Sequence, residues 1–206
     1  MSITDNFFSK RRSVTAKKMS PDPIDVHDLK SILQAGIRVP DHGALSPWRI
    51  KVIQGNILKK IDEEIILSEF LKNNPRSNQA SIETESKRLQ RAGAVIAVLS
   101  TPKEHPTIPI SEMHLSSGAV CMNLLSCAQS LGYAAQWLTE WYAYNNKMLI
   151  YLGGKVGIEL RRSRAGKPGF SDIGEASFYK YAQLQNTVRY LYSQKSRYKS
   201  IAKDKA

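Results

Sequence analysis

The chain has 206 residues, 42% of them hydrophobic and 23% charged, with a net charge of +12 and two cysteines. That balance suits one globular domain with a sizeable core, and no stretch nears the ~20 unbroken apolar residues of a membrane span. Cys121 and Cys127 are too few for a disulfide framework and are expected as buried, reduced thiols. No basic-then-apolar leader is visible at the start, so a cytoplasmic location is expected.

In chain order, Thr4–Lys10 reads as a short helix behind an Asp/Asn cap region. Arg11-Arg12-Ser13 follows it directly. A guanidinium fork makes paired bonds to phosphate and a serine hydroxyl adds another donor, although two arginines on a solvated face would look the same. Asp25 precedes Val26, Leu29, Ile32, Leu33, Gly36 and Ile37, whose spacings of three and four form one helical face. Pro40 stops that helix and opens a stiff loop, Pro40-Asp41-His42-Gly43-Ala44-Leu45-Ser46-Pro47, of the kind that carries ligand contacts. Arg38 before it could simply complement the helix dipole, and His42 alone could be a structural histidine.

Trp48–Gln54 alternates as a strand, and Asn56–Leu71 returns to helical spacing. Residues 72–90 are polar, first a connection and then a surface helix. Ala92–Leu99 is a continuous apolar run, the pattern of a strand buried on both faces. Ser111–Leu131 is a long helix apolar on nearly all sides, expected to cross the centre of the fold, with Gly132 as its cap. Tyr133–Leu138 reads as a strand and Lys147–Leu152 as a short helix ended by Gly153-Gly154. This alternation gives one α+β or α/β domain over residues 1–193. From residue 155 onward twelve Lys or Arg stand against four Asp or Glu, and residues 194–206 read as a disordered basic tail. Tyr190, Tyr192 and Tyr198 interleave weakly with that charge, but no groove-reading motif accompanies them, so nucleic acid is not expected as a partner.

Several chemistries are excluded. Gly-x-Gly-x-x-Gly is absent, and Gly154-Lys155 lacks both the upstream glycine and the following Ser or Thr of a phosphate loop. His27, His42, His105 and His114 have no metal-ligand spacing, so no metal site is expected. No Gly-x-Ser-x-Gly elbow occurs, and Asp41 and His42 are too close in sequence to face each other in a catalytic triad.

Arg11-Arg12-Ser13, the run Ala35-Gly36-Ile37-Arg38-Val39-Pro40-Asp41-His42 and the following Pro47-Trp48 together resemble the nitroreductase family, in its branch of small flavin-dependent NAD(P)H oxidoreductases. The resemblance covers about Phe7 to Gly153, then Asp172–Ala176 and a stretch near Asn186–Leu191. It implies an α+β fold with a central, mostly antiparallel sheet flanked by helices around a long buried central helix. It also implies FMN as cofactor, with NADH or NADPH as co-substrate and a nitroaromatic or quinone-type small molecule as acceptor. Arg11, Arg12 and Ser13 would clamp the flavin phosphate and ribityl chain, and Arg38, Pro40, Asp41 and His42 would contact the flavin. A homodimer would share its sites between chains, with Trp137, Leu138 and Thr139 lining the flavin from the partner. Gly174 and Lys180 would belong to a late flavin-contacting segment. No side chain need act as a catalytic nucleophile, because the flavin carries the chemistry.

Two features depart from the family pattern. Thr15 stands where many members have a basic residue, leaving Arg38 or Lys17 to supply charge near the ring. Residues 155–171 are basic and contain Pro168, unlike the acidic helix and apolar strand expected there, as either an altered reading frame or lineage-specific drift would produce. The rival reading is therefore a flavin-binding or storage module, or a degenerate relative without turnover.

Overall fold

The computed structural model describes residues 3–154 and 188–195, with side chains described for residues 7–154. Helix α1 spans Ile3–Lys10, α2 Val26–Gly36, and strand β1 Trp48–Gln54. A continuous helical stretch follows as α3 (Asn56–Ile61), a π-helical turn (Asp62–Leu67) and α4 (Ser68–Asn73). Then come α5 (Gln79–Glu85), β2 (Ala94–Ser100), α6 (Ile110–Ser130), β3 (Tyr133–Leu138), α7 (Asn146–Tyr151) and β4 (Val188–Lys195).

The sheet runs β1-β2-β4-β3, and every neighbouring pair is antiparallel. β2 is buried along its whole length because helices cover both of its faces. Successive strand side chains point to opposite faces, so Val95, Ala97 and Leu99 join Ile61, Ile66, Tyr142 and Met148 on one side. Ala94, Ile96 and Val98 join Ile32, Val120, Leu124 and Ala128 from α2 and α6 on the other. Each fully buried Ile or Leu contributes roughly 1.5–3 kcal/mol relative to exposure.

α2 begins where expected, because the Asp25 carboxylate accepts from the backbone N–H groups of His27 and Asp28 at 2.8 and 3.1 Å. It ends at Gly36, four residues before Pro40. There it crosses α6 so closely that a Cβ on Gly36 would overlap the Leu124 side chain. Asp62, fully buried in the π-helical turn, accepts from the backbone N–H of Leu89 at 2.9 Å and from Gln90 Nε2 at 3.0 Å. Those bonds tie the chain entering β2 to the helices beneath it, although burial still pushes the Asp62 carboxyl up to about 6.

The sheet's third strand was not anticipated. β4 pairs Ile96 with Leu191 and Ala135 with Ser193. Gln194 and Lys195, assigned above to the tail, pair with Ala134 and Tyr133, so the sheet extends two residues past the expected domain boundary. The thiols also differ from expectation: both are free, but Cys127 is only half-buried while Cys121 is buried.

Candidate functional site

The loop after α2 is laid along α6 by polar side chains of that helix. Asn123 Nδ2 donates to the Arg38 carbonyl at 2.8 Å and to the Ala35 carbonyl at 3.2 Å. Ser116 Oγ donates to the Pro40 carbonyl at 2.7 Å. His42 Nδ1 meets Glu112 Oε2 at 2.8 Å. Positions 112, 116 and 123 share one helical face, so three consecutive anchors run backwards along α6 as the loop runs forwards.

The loop also closes on itself, since Asp41 Oδ2 accepts from the Ser46 backbone N–H at 2.7 Å. Its turn needs left-handed backbone at Gly43 (φ +71°), Ala44 (φ +51°) and Ser46 (φ +47°). Glycine tolerates this freely; Ala44 and Ser46 are held there against their preference. Asp41 is thus committed to the turn, while Arg38 and His42 are exposed.

Arg11, Arg12 and Ser13 sit at the other end of α6. Gln129 Nε2 donates to the Arg12 carbonyl at 2.8 Å, and Arg11 Nη1 donates to Gln129 Oε1 at 3.4 Å. The segment continues beside β3, where Val14 N–H donates to the Ala135 carbonyl at 3.2 Å and Ala16 N–H to Gln136 Oε1 at 2.7 Å. Among the described residues Arg12 Nη1 donates to two backbone carbonyls, those of Ser9 and Arg11. Among the described residues no carboxylate pairs with Arg11 or Arg12, and within them this segment's positive charge is uncompensated.

Trp137 and Leu138 lie on β3, just past the Gln136 that holds Ala16. Thr139 follows directly, exposed at the strand's end. The structure therefore places Arg11, Arg12 and Ser13 at the C-terminal end of α6, the Trp137 side chain beside Gly118 near its middle, and Arg38, Pro40 and His42 along it from Asn123 to Glu112. Seventeen residues of helix separate Glu112 from Gln129, about 25 Å at 1.5 Å per residue. Gly174 and Lys180 lie outside the described residues. Of the tryptophans, Trp141 is occupied in the core, donating to Glu85 Oε2 at 3.1 Å and packing on Phe70. Trp48 packs against the α2–α6 core, and Trp137 is the exposed one.

Glu112, Ser116, Asn123 and Gln129 were not picked out in the sequence. The apolar reading of α6 hid them, although the spacing of the first three was there to be seen. Among the described residues no His, Cys, Asp or Glu cluster could hold a metal, and no helix is long and apolar enough to cross a membrane.

The Nitroreductase family profile matches residues 8–153, a span that contains both polar clusters. The chain belongs to the nitroreductase family. It is 27% identical over 109 residues to the Escherichia coli (strain K12) protein named "Putative NAD(P)H nitroreductase YdjA", an alignment spanning 53% of this chain and 58% of that one. In fold it is similar to a nitroreductase-like family protein from Bacillus cereus (17% identity, TM-score 0.65, 100% of this chain and 91% of that one). It is also similar to an FMN-bound nitroreductase from Bacteroides fragilis (16% identity, TM-score 0.59, 100% and 95%). The expected nitroreductase-like α+β fold, with its antiparallel sheet and long helix, is the fold observed.

Proposed function

We propose that this chain is an FMN-dependent NAD(P)H oxidoreductase acting on a small-molecule acceptor. The observation that carries this reading is the Arg11-Arg12-Ser13 segment, two guanidinium groups without a carboxylate partner among the described residues, braced by Gln129 and β3. Such a donor set fits a dianionic phosphate monoester such as FMN's. With FMN bound, the chemistry supplied is hydride transfer from NAD(P)H through flavin N5 to a nitroaromatic or quinone-type acceptor. The protein's part is binding, orientation and electrostatics. Arg11, Arg12 and Ser13 would hold the phosphate and ribityl chain, and Trp137, Leu138 and Thr139 would line the site beside them. Arg38 would bring positive charge to the ring, and His42 a hydrogen-bonding ring nitrogen.

We further propose a homodimer whose sites are shared. The His42 anchor on α6 lies about 25 Å from that of Arg12, while the Arg38 anchor at Asn123 lies about 9 Å from it, so the sharing of sites rests on the family resemblance and on the exposed face of α6. As the resemblance implies, Trp137, Leu138 and Thr139 would line the flavin from the partner chain. The outward face of α6 supports an interface: Leu115 is 63% exposed, with Gly118 and Ala119 half-buried beside it.

The test is an absorbance spectrum of the purified protein reconstituted with FMN, before and after anaerobic NADH or NADPH. Flavin absorbance that bleaches on addition is expected. Bound flavin that neither nucleotide bleaches would favour the storage reading, and protein that takes up no flavin the degenerate one.

A further inference from the structure

Glu112 Oε2 lies 2.8 Å from His42 Nδ1, and the two side chains remain 46% and 61% exposed. An ionised carboxylate can only accept a hydrogen bond, so hydrogen must sit on Nδ1. The neutral ring then has its lone pair on Nε2. We infer that Glu112 is a positioning residue, fixing the His42 ring so that Nε2 serves as an acceptor for a donor group on the flavin. This inference rests on the function proposed above.

Three observations converge on it. The backbone on either side of His42 is already immobilised, through Ser116 on the Pro40 carbonyl and Asp41 on the Ser46 amide. A Cβ on Gly43 would come within 2.7 Å of Ile108 Cδ1, so the turn lies close against that buried side chain. Only the ring's own rotation is left to be set, and Glu112 sets it. Glu112 has no reciprocal capping role that would explain it otherwise, because the cap residue of α6 is Pro109, which has no backbone N–H for a first-turn carboxylate to accept from.

The magnitudes separate positioning from stability. An exposed ion pair contributes little to folding, and a carboxylate in a first helical turn adds a few tenths of a kcal/mol through the dipole. Losing control of one ligand-facing hydrogen bond lowers affinity roughly 5- to 10-fold. A residue that positions His42 therefore moves flavin affinity and ring tautomer while leaving the melting temperature nearly still. A neutral Nε2 acceptor complements a ribityl hydroxyl or the ring N3–H, and not the phosphate.

The experiment uses the full chain. Nitrogen-15 NMR at pH 8, where an ordinary imidazole is neutral, reads the His42 tautomer in the apoprotein, and fluorescence quenching reads FMN affinity. The wild type is expected to show hydrogen on Nδ1. Glu112→Ala is expected to lose that preference and bind FMN roughly 5- to 10-fold more weakly. Glu112→Gln, whose amide oxygen still accepts, is expected to keep both properties. His42→Ala with Glu112→Ala is expected to be no weaker than His42→Ala alone. Hydrogen on Nε2 in the wild type, or unchanged FMN affinity in Glu112→Ala, overturns the inference. Failure of the wild type to bind FMN overturns the functional reading instead, and the tautomer still decides whether Glu112 sets the ring.

Discussion

Gln129 Nε2 donates to the backbone carbonyl of Arg12 at 2.8 Å. The same nitrogen reaches the Ala135 carbonyl at 3.3 Å, and the amide oxygen accepts from Arg11. One side chain from the end of α6 thus holds both the arginine segment's backbone and one of its guanidinium groups. Gln129→Ala is expected to leave the fold intact and weaken FMN binding on the order of 10-fold, the loss of about one hydrogen bond. Flavin-fluorescence titration beside a circular dichroism spectrum checks this; an unchanged affinity would show that the brace is irrelevant to the cofactor.

Removing the charge itself should cost more. Charge-assisted hydrogen bonds are each worth roughly 1.5–3 kcal/mol, so Arg11→Ala with Arg12→Ala is expected to lower FMN affinity at least ~100-fold. Affinity of the wild type should also fall as salt is raised, while the double variant responds weakly. Both follow from isothermal titration at two ionic strengths. Unchanged cofactor occupancy in the double variant would remove the anion clamp from the proposal.

A Cβ at Gly118 would meet only the tip of Trp137, at 3.9 Å. Gly118→Ala should therefore stabilise the helix by up to about 1 kcal/mol without a clash inside the chain. Gly118→Leu should fold as well, yet push apart two copies packed through this face. Sedimentation velocity is expected to give a dimer for the wild type and monomer for Gly118→Leu, with flavin affinity lost alongside. A Gly118→Leu dimer that still holds flavin would rule out α6 as the shared surface.

Asp62 makes stability depend on pH. Its carboxyl is raised from 3.8 to about 6 by burial, so between those values the folded chain binds more protons than the unfolded one. Stability from this group is full below about pH 4 and is lost as pH rises through 6, a change of about 3 kcal/mol. Asp62→Asn keeps an acceptor for the Leu89 amide and cannot ionise. Urea midpoints from pH 4 to 7 should show Asp62→Asn gaining on the wild type as pH rises; a constant difference would mean that Asp62 ionises normally.

Gly36 lets α2 approach α6 at Leu124, beside the Asn123 bonds that seat the Arg38 loop. Overpacking costs roughly 1–3 kcal/mol, so Gly36→Ala is expected to lower the melting temperature by roughly 2–10 °C and to weaken flavin binding through the displaced loop. Calorimetry and the same fluorescence titration measure the two effects together.

Local chemistry was enough for much of this molecule. Trp48–Gln54 and Tyr133–Leu138 came out at their observed limits, because strand alternation and bounding glycines act within a few residues. The Asp25 cap and the extent of α6 were equally local. Arg11-Arg12-Ser13 and Arg38–His42 stood out by residue type alone, as candidates. What the order of residues could not convey was distance. Two segments that a family likeness assigns to one ligand are tethered to a single 21-residue helix, Arg12 at Gln129 and Arg38, Pro40 and His42 from Asn123 to Glu112, and only the packing of α2 and β3 against that helix puts them there. Glu112 and Gln129 became visible for the same reason. Their partners are 70 and 117 residues away, and a hydrogen bond across such separations is created by tertiary contact, so the helical spacing of Glu112 could not name its partner. β4 is the extreme case, since a strand's place between β2 and β3 is set by which backbone amides remain unpaired once the rest of the sheet has formed.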